Sequence, residues 1–388
     1  MKNKTYVLRK SFLLFFLAVF LAVGIPSEKV SASEQEKTQD ELLGKLEFDE
    51  IDNFMEEHSG EKIKFSQLVS DLLHNPAEKD WQKEILQWIK SALTSEIQTN
   101  RVMLIEVVML AFCFSILKNF AGAFQSSYIA DLCFILVYCV LAVMLLKTFQ
   151  TFQGIVAQAL SGCVDFMKVL VPTFCLSMIF SSNVNSSMGF YQVAFFVIYL
   201  VEWLFLNILM PMIHVYVLLE VFGHFVPEEK FSNLIELFYG VISWGIKITG
   251  AVVLGLNVVQ NLIGPAKDRL GQGIFAKAAF MVPGVGNAVN SVTEMLLGSG
   301  IVIKNCVGVA GLIALAVIGM IPLVKVGCLA FFYKLAAAVT EPVTDKRIAA
   351  CLKGMANGGM LYLKLLAYCL LLFLLTIALT AAASSYIY

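Results

Sequence analysis

The chain has 388 residues, of which 59% are hydrophobic and only 15% are charged, with a mean hydropathy of +0.78. Soluble globular domains carry about 25% charged residues, and a chain this apolar would expose large hydrophobic patches in water. The composition therefore excludes an ordinary soluble domain and predicts an all-α, polytopic helical membrane protein. The net charge of −1, without a dense basic patch, argues against nucleic acid as a partner.

The N-terminus has the three parts of a secretory signal peptide. A basic stretch with three lysines and Arg9 precedes the apolar run 12–25, which is short for a membrane span. Pro26 ends this run, and small residues up to Ala32 offer a cleavage site. We predict a signal peptide over residues 1–32, with an uncleaved anchor as the alternative. Either one places the next segment outside the cytoplasm.

Residues 33–100 are predicted to form a small, acidic, helical extracytoplasmic domain. The stretch 33–101 contains 16 acidic and 8 basic residues, a net charge of −8. Apolar residues recur there at helical spacing. The three stripes are Phe48, Ile51, Phe54 and Met55; Phe65, Leu68, Val69, Leu72 and Leu73; and Trp81, Ile85, Trp88, Ile89 and Ala92. A core this small needs the membrane or a partner for support.

Residues 101–388 form the predicted transmembrane domain. In hydrocarbon each backbone N–H and C=O needs a partner within its segment, so long apolar runs there are expected to be helices. About 20 residues cross a bilayer, and several of the runs are shorter. The runs cover 102–117, 130–146, 166–181, 190–209, 212–225, 235–260, 300–324, 326–339 and 361–380.

Basic residues give a partial topology. Lysine and arginine cluster around 267–277 and 346–364, and both clusters are predicted to be cytoplasmic loops. An outside N-terminus then requires an odd number of crossings before Lys267. Six runs precede that residue, so one of them is expected not to span. The short run 212–225, between Pro211 and Pro227, is the first candidate.

Several polar residues lie at membrane depth, where a charge costs several kcal/mol unless it meets a counter-charge or a cavity. Glu202, Lys247 and Asn257 lie well inside their runs and form a candidate polar path across the membrane. The alternative is a purely structural Glu–Lys pair or helix–helix hydrogen bond. Glu106 and Lys304 lie closer to run ends and are expected to extend toward the interface.

The segment 266–300 differs from its neighbours and is a candidate broken or re-entrant helix. Pro283 lacks a backbone donor, and Gly284 and Gly286 permit irregular backbone next to the polar Asn287 and Asn290. A similar arrangement occurs at 168–187, where Pro172 precedes a serine- and asparagine-rich stretch. Paired breaks of this kind are typical of transporters with internal repeats, although shared turn chemistry explains the match equally well.

Motifs for catalysis are missing from the sequence. There is no G-x-x-x-x-G-K-[ST] phosphate loop, no H-E-x-x-H zinc pair and no G-x-S-x-G nucleophile turn. We therefore expect no enzymatic activity, no catalytic residues, no metal site and no cofactor. If the protein moves a substrate, an ion gradient or a separate ATPase is expected to supply the energy.

Three long stretches carry a family resemblance. FMVPGVGNAVNSVTEMLLGSGIVIKN (280–305), GVAGLIALAVIGMIPLVKV (308–326) and FFYKLAAAVTEPVTDKRI (331–348) closely resemble the stage III sporulation protein AE family. The order of signal peptide, acidic outer segment and multiple spans resembles that family too.

The resemblance implies a multi-pass protein in the mother-cell-derived membrane around the forespore. It implies a membrane core component, permease-like or export-apparatus-like, of the SpoIIIA–SpoIIQ channel complex needed late in sporulation. The implied partners are other SpoIIIA-operon proteins, including a secretion-type ATPase, and SpoIIQ in the forespore membrane. The alternative is a non-conducting scaffold that anchors and assembles the other proteins.

Overall fold

The computed structural model describes residues 33–58, 64–74, 127–181, 184–223, 231–279, 286–342 and 346–383, with Thr344 and scattered positions between 87 and 116. Its regular elements are all helical: α1 Ser33–Leu43, α2 Asp49–His58, α3 Phe65–His74, α4 Ser127–Phe180, α5 Val184–Val201, a π-helix Glu202–Leu209, α6 Met210–Gly223, α7 Ser232–Ala279, α8 Gly286–Thr340 and α9 Lys346–Ala383. The predicted all-α membrane fold is confirmed. The predicted signal peptide, residues 1–32, lies outside the described residues and stays a prediction.

The described membrane helices are fewer and longer than the apolar runs. Five segments are long and apolar enough to cross a membrane: Ile135–Phe180, Ser186–Gly223, Ser232–Ile263, Met295–Thr340 and Lys346–Ala382. Runs 130–146 and 166–181 join in α4, because the residues between them contain no proline and continue the helix. Counting each run as a separate element was wrong. Pro172 lies inside α4 and does not break it, unlike the break expected there.

The run 212–225 is not a separate element. Its residues up to Gly223 continue α5 through the π-helix into α6, so 190–209 and 212–223 belong to one candidate span. Three of the five candidate spans precede Lys267.

The two basic clusters lie mainly on helices, which corrects the prediction of loops. The first cluster, 267–277, lies in the last part of α7. In the second, Lys346 is the first residue of α9, and Lys353 and Lys364 lie further along that helix. Neither stretch contains a proline, and helical backbone continues through both.

Helices α8 and α9 are antiparallel neighbours that approach closely at glycines. Gly319 of α8 faces Leu370 of α9, and a Cβ atom at Gly319 would lie 2.1 Å from the Leu370 Cδ2 atom. On another face of α9, a Cβ atom at Gly358 would lie 2.2 Å from the Val217 Cγ2 atom of α6. Small residues at such crossings let helix backbones pack where lipid provides no hydrophobic driving force.

Contacts between helices define two ends of the bundle. At one end the Tyr138 hydroxyl of α4 donates to the Val221 carbonyl near the end of α6, close to the start of α9. We call this the Lys346 end. At the other, called the Phe180 end, Phe174 packs edge-on against Phe190 of α5, with ring centroids 5.3 Å apart.

The N-terminal helices pack onto the bundle toward its Phe180 end. Two of the three predicted stripes are confirmed, since Phe48, Ile51, Met55, Phe65, Leu68 and Val69 are buried. Phe54 contacts Phe166 of α4 with ring centroids 6.0 Å apart, and the Thr173 hydroxyl lies 3.4 Å from the Glu47 carbonyl. The bundle therefore supplies the support that this small core requires. The five residues of the third stripe, between 81 and 92, are outside the described residues.

Candidate functional site

A π-helix interrupts the second candidate span and begins at Glu202. The Met210 N–H donates to the Phe205 carbonyl, five residues back, which is the hydrogen-bond spacing of a π-helix. Pro211 follows at once, and in a regular α-helix its ring would clash with the carbonyl four residues earlier. The wider π turn relieves that clash. Helices of this type are rare in proteins, and those that occur are often found at functional sites.

Glu202 pairs with Lys168 of α4. The Lys168 Nζ atom lies 3.1 Å from the Glu202 Oε2 atom, 3.3 Å from its Oε1 atom and 3.1 Å from the Asp165 Oδ1 atom. The side chains of Lys168 and Glu202 are 39% and 41% exposed. One ammonium therefore bridges two carboxylates on neighbouring elements, and the group of three carries a net negative charge.

Lys247 lies deep in its span, as the sequence suggested, but its side chain does not pair with Glu202. It lies near the middle of the candidate span Ser232–Ile263, and its side chain is exposed. The ion pair of Glu202 is made with Lys168, so a structural Glu202–Lys247 pair is wrong. A lysine at the centre of a span costs about 2.5–3.5 kcal/mol against lipid. The face of α7 that carries Lys247 is therefore suited to water or a partner protein.

Asn257 is fully buried and belongs to a cluster of amides on α7. Its Nδ2 atom donates to the Val253 carbonyl and to the Thr376 hydroxyl of α9, each at 3.0 Å. Among the described residues its Oδ1 atom has no hydrogen-bond partner, and neither have the Gln260 Oε1 and Asn261 Nδ2 atoms. Since residues three and four apart share a helix face, we call Asn257, Gln260 and Asn261 the amide cluster.

The amide cluster lies where three helices meet. Thr376 places Asn257 against α9, and a Cβ atom at Gly189 of α5 would lie 3.6 Å from the Gln260 Cγ atom. An unpaired buried donor or acceptor costs about 1–3 kcal/mol. Three such atoms within one helical turn are the usual setting for ordered water or a polar ligand. The cluster is thus a group of buried polar side chains between three helices.

The break predicted within the segment 266–300 remains a prediction. Pro283 and Gly284 lie outside the described residues. Helix α7 extends to Ala279 and helix α8 begins at Gly286, so Asn287 and Asn290 have helical backbone; their side chains are outside the described part.

Lys304 is buried against the end of α9. Its Nζ atom donates at 3.3 Å to the carbonyl of Ala381, next to the last residue of the candidate span Lys346–Ala382. Burial of the Lys304 stem between α8 and α9 prevents the side chain from reaching the bundle surface.

Sequence reasoning missed the partners of the residues that it selected. Lys168 and Asp165 were not linked to Glu202, because the contact joins residues 34 positions apart and depends on how α4 packs against the π-helix. Gln260 and Asn261 carried a readable signal. They lie three and four residues after Asn257 and so had to share its face.

Five candidate spans, a small packed N-terminal domain and buried polar atoms between spans define a polytopic helical membrane protein whose apolar interior contains some polar side chains. Comparison with known proteins then gives the family. The family described as stage III sporulation protein AE matches residues 63–384, and this chain belongs to it. The stage III sporulation protein AE of Bacillus subtilis (strain 168) is 25% identical over 391 residues, covering 95% of this chain and 96% of that protein. No solved structure matches the chain.

Membership confirms the resemblance seen in residues 280–348 and gives the chain a role in sporulation. The apolar helices make it a multi-pass membrane protein.

Proposed function

We propose that this chain is the membrane core, permease-like or export-apparatus-like, of a channel complex between mother cell and forespore. Its partners are other SpoIIIA-operon proteins, including a secretion-type ATPase, and SpoIIQ, bound directly or through other members. It resides in the mother-cell-derived membrane around the forespore and has no enzymatic activity of its own. Family membership and the five candidate spans support the proposal.

The amide cluster is the observation that carries the transport part of this proposal. A scaffold needs only packed surfaces, and apolar residues at 257, 260 and 261 would pack such a core without unpaired atoms. The chain instead keeps, inside the span Ser232–Ile263, three amides with atoms that no described residue pairs. Their cost is offset when water or a transported polar group occupies the site.

The second candidate function is a non-conducting scaffold that anchors and assembles the other proteins. The exposed Lys247 favours it, because a charge on the outer face of a span suits contact with a partner. The two functions differ in whether the interior polar atoms matter once the complex has formed.

The double substitution Gln260→Leu/Asn261→Leu separates these functions. It removes unpaired atoms and adds apolar volume, so the protein is expected to accumulate and to recruit its partners normally. If the amide cluster lines a path for the transported substrate, which we call the conduit, the number of heat-resistant spores is expected to fall at least tenfold after normal engulfment in the native host. Immunoblots and co-purification of partners provide the level and assembly measurements.

Gln192→Leu is the matched control, because it removes an exposed amide from α5 without touching the cluster. It is expected to leave spore yield unchanged. Normal spore yield from the double variant, at normal protein level and with normal assembly, contradicts the conduit and favours the scaffold.

A further inference from the structure

One face of helix α7 lies on the outside of the bundle and carries Lys247. The opposite face packs on neighbouring helices, where Ile242, Ile246 and Val253 are buried. The outer residues recur every three or four positions, which is the spacing of one stripe along a helix. All are exposed, and we call them the Lys247 face: Gly240, Trp244, Lys247, Ala251, Leu254 and Val258.

Lys247 is the one charged residue of this face, and its surroundings are apolar. Trp244, Ile248 and Ala251 lie within about one helical turn of it and are exposed. Among the described residues, Lys247 forms no ion pair and no hydrogen bond. The nearest acidic residue along α7 is Glu236, about 16 Å away at 1.5 Å per residue. No described carboxylate therefore neutralises the Lys247 ammonium.

The depth of Lys247 makes this lack of a counter-charge costly. The residue lies near the middle of the candidate span Ser232–Ile263, about 22 Å from its nearer end at 1.5 Å per residue. Half the hydrocarbon layer of a bilayer measures about 15 Å. Lysines reach the membrane surface from positions near helix ends, whereas charges deep in a span pair with one another or face protein.

Charge and polarity distinguish what can cover this face. Lipid would leave the ammonium unpaired, and the exposed Trp244 and Ile248 beside it are unsuited to water. A second copy of the chain docking through the same face would bring two lysines together, because the face carries no acidic residue. A helix of a different membrane protein, with a carboxylate at this depth, supplies both apolar contacts and the counter-charge.

The shape of the face permits the close approach of such a helix. A Cβ atom at Gly240 would meet no described atom within 4 Å, and Ala251 adds a second small side chain on the other side of Lys247. Small residues let the backbones of membrane helices approach each other closely. A helix that crosses α7 near Ala251 would therefore bring its side chains within reach of Lys247, one turn away.

We propose that the Lys247 face binds a transmembrane helix of another membrane protein, and that an aspartate or glutamate of that helix pairs with Lys247. Trp244, Ala251 and Leu254 pack against the apolar side chains on either side of the carboxylate. The inference rests on the proposed membership of a membrane complex. It does not depend on whether the amide cluster conducts a substrate.

Photo-cross-linking of the full chain in sporulating cells of the native host tests this surface. Benzoylphenylalanine is introduced in place of Ala251. Its introduction in place of Val252 is the matched control, because Val252 is exposed at the same depth but lies about 100° further around the helix. Position 251 is expected to give at least fivefold more protein adduct than position 252. Mass spectrometry is expected to identify an apolar segment of about 20 residues, from another protein, that contains an aspartate or glutamate.

Charge variants then test the ion pair. Lys247→Met is expected to lower the adduct at position 251 at least fivefold at equal protein level, whereas Lys247→Arg keeps the charge and is expected to retain the adduct. Lys247→Glu combined with a lysine in place of the partner's acidic residue should restore the adduct, because the pair is then reversed. The adduct is measured independently of spore yield, so the surface and the conduit are tested separately.

An adduct with a second copy of this chain, or with a segment that has no acidic residue, overturns the proposal. Equal adducts at positions 251 and 252, no protein adduct at 251, or an unchanged adduct in Lys247→Met also overturn it. If Lys247→Met does not accumulate, the identity of the segment that the parent chain binds still decides the question.

Discussion

Lys168 links two elements through one charged group. Asp165 precedes it by three residues on α4, and Glu202 opens the π-helix. All three side chains are partly exposed in the isolated chain, so the strength of the pairing depends on what covers them. In water such a pair contributes at most about 1 kcal/mol. In a dry site, removal of one partner would leave a costly unpaired charge.

A double-mutant cycle on Lys168→Met and Glu202→Gln distinguishes these environments. Because the side chains of Lys168 and Glu202 are 39% and 41% exposed, we expect a coupling free energy below about 1 kcal/mol, as at water-exposed pairs. Thermal or denaturant unfolding in detergent measures it for the two single variants and the double variant. A coupling of several kcal/mol would show a dry site and argue against water beside Glu202.

The matched control cycle uses Glu202→Gln with Lys247→Met. Lys247 is exposed on α7 and is not the ion-pair partner of Glu202, so the two effects are expected to add. Non-additive effects there would show that the pairing in the membrane differs from the one described.

At the residue scale, a polar residue deep inside an apolar run could be recognised from the sequence, but its contact partner could not. Glu202 and Asn257 stood out because polar atoms are expensive in hydrocarbon. Their partners Lys168 and Thr376 come from other helices, 34 and 119 residues away. Contacts between residues so far apart in the sequence depend on how the helices pack, and the hydropathy of single residues does not predict that packing.

The π-helix is the least regular element of the described membrane domain. Its wider turn is explained by Pro211, whose ring excludes the carbonyl four residues earlier. The wider turn also changes the direction of Glu202 relative to α6, because its hydrogen bonds span five residues instead of four. We therefore expect Pro211 to influence the position of the carboxylate that pairs with Lys168.

Pro211→Ala is expected to restore α-helical hydrogen bonds and to rotate Glu202 away from Lys168. Cysteines at 168 and 202 should cross-link with a short bifunctional thiol reagent when Pro211 is present. In Pro211→Ala we expect at least a threefold lower cross-linked fraction, measured by gel mobility.

Pro322→Ala is the control, since Pro322 lies inside the other long helix, α8. Its cross-linked fraction is expected to equal that of the parent. Equal cross-linking in Pro211→Ala would show that the proline does not set the direction of Glu202.

Helix identity was predictable from apolar runs, whereas helix length was not. The polar stretch between 147 and 165 reads as a loop by hydropathy, yet it contains good helix formers and no proline. Packing against α8 and α9 buries its inner residues, such as Phe152 and Leu160, and the helix continues. Burial against neighbouring helices therefore makes this stretch helical, although its local composition alone did not distinguish a helix from a loop.

On the scale of the whole molecule, the N-terminal helices and the Lys346 end lie at opposite ends of the bundle. Phe54 and Glu47 contact α4 near the Phe180 end. Lys346 and Arg347 begin α9 at the other. The second basic cluster therefore lies opposite the acidic helices, the arrangement that charge bias favours.

The first cluster, 267–277, follows Asn257, which contacts Thr376 near the end of α9, and so lies toward the Phe180 end. One candidate span, Met295–Thr340, separates the two clusters, so the prediction that both are cytoplasmic is wrong.

Thiol labelling measures that topology directly. In a background without the exposed Cys113 and Cys139, a cysteine replacing the exposed Glu50 should react with a membrane-impermeant maleimide added to protoplasts. A cysteine replacing the exposed Lys353 should react only after the membrane is opened. The reverse labelling pattern would show an inverted orientation.

The lengths of α4 and α8 have a consequence for how this protein is isolated. At 54 and 55 residues, each helix measures about 80 Å at 1.5 Å per residue. Even tilted by 40°, the steep limit for membrane helices, such a rod rises about 60 Å through a hydrocarbon layer of about 30 Å. The exposed Leu132 and Ile179, near opposite ends of α4, therefore cannot share one acyl-chain layer. Some exposed apolar side chains of α4 therefore lie beyond the lipid and need other proteins to cover them. A detergent belt of ordinary thickness also leaves these side chains uncovered. The chain purified alone should therefore self-associate, whereas the chain purified within its complex should not.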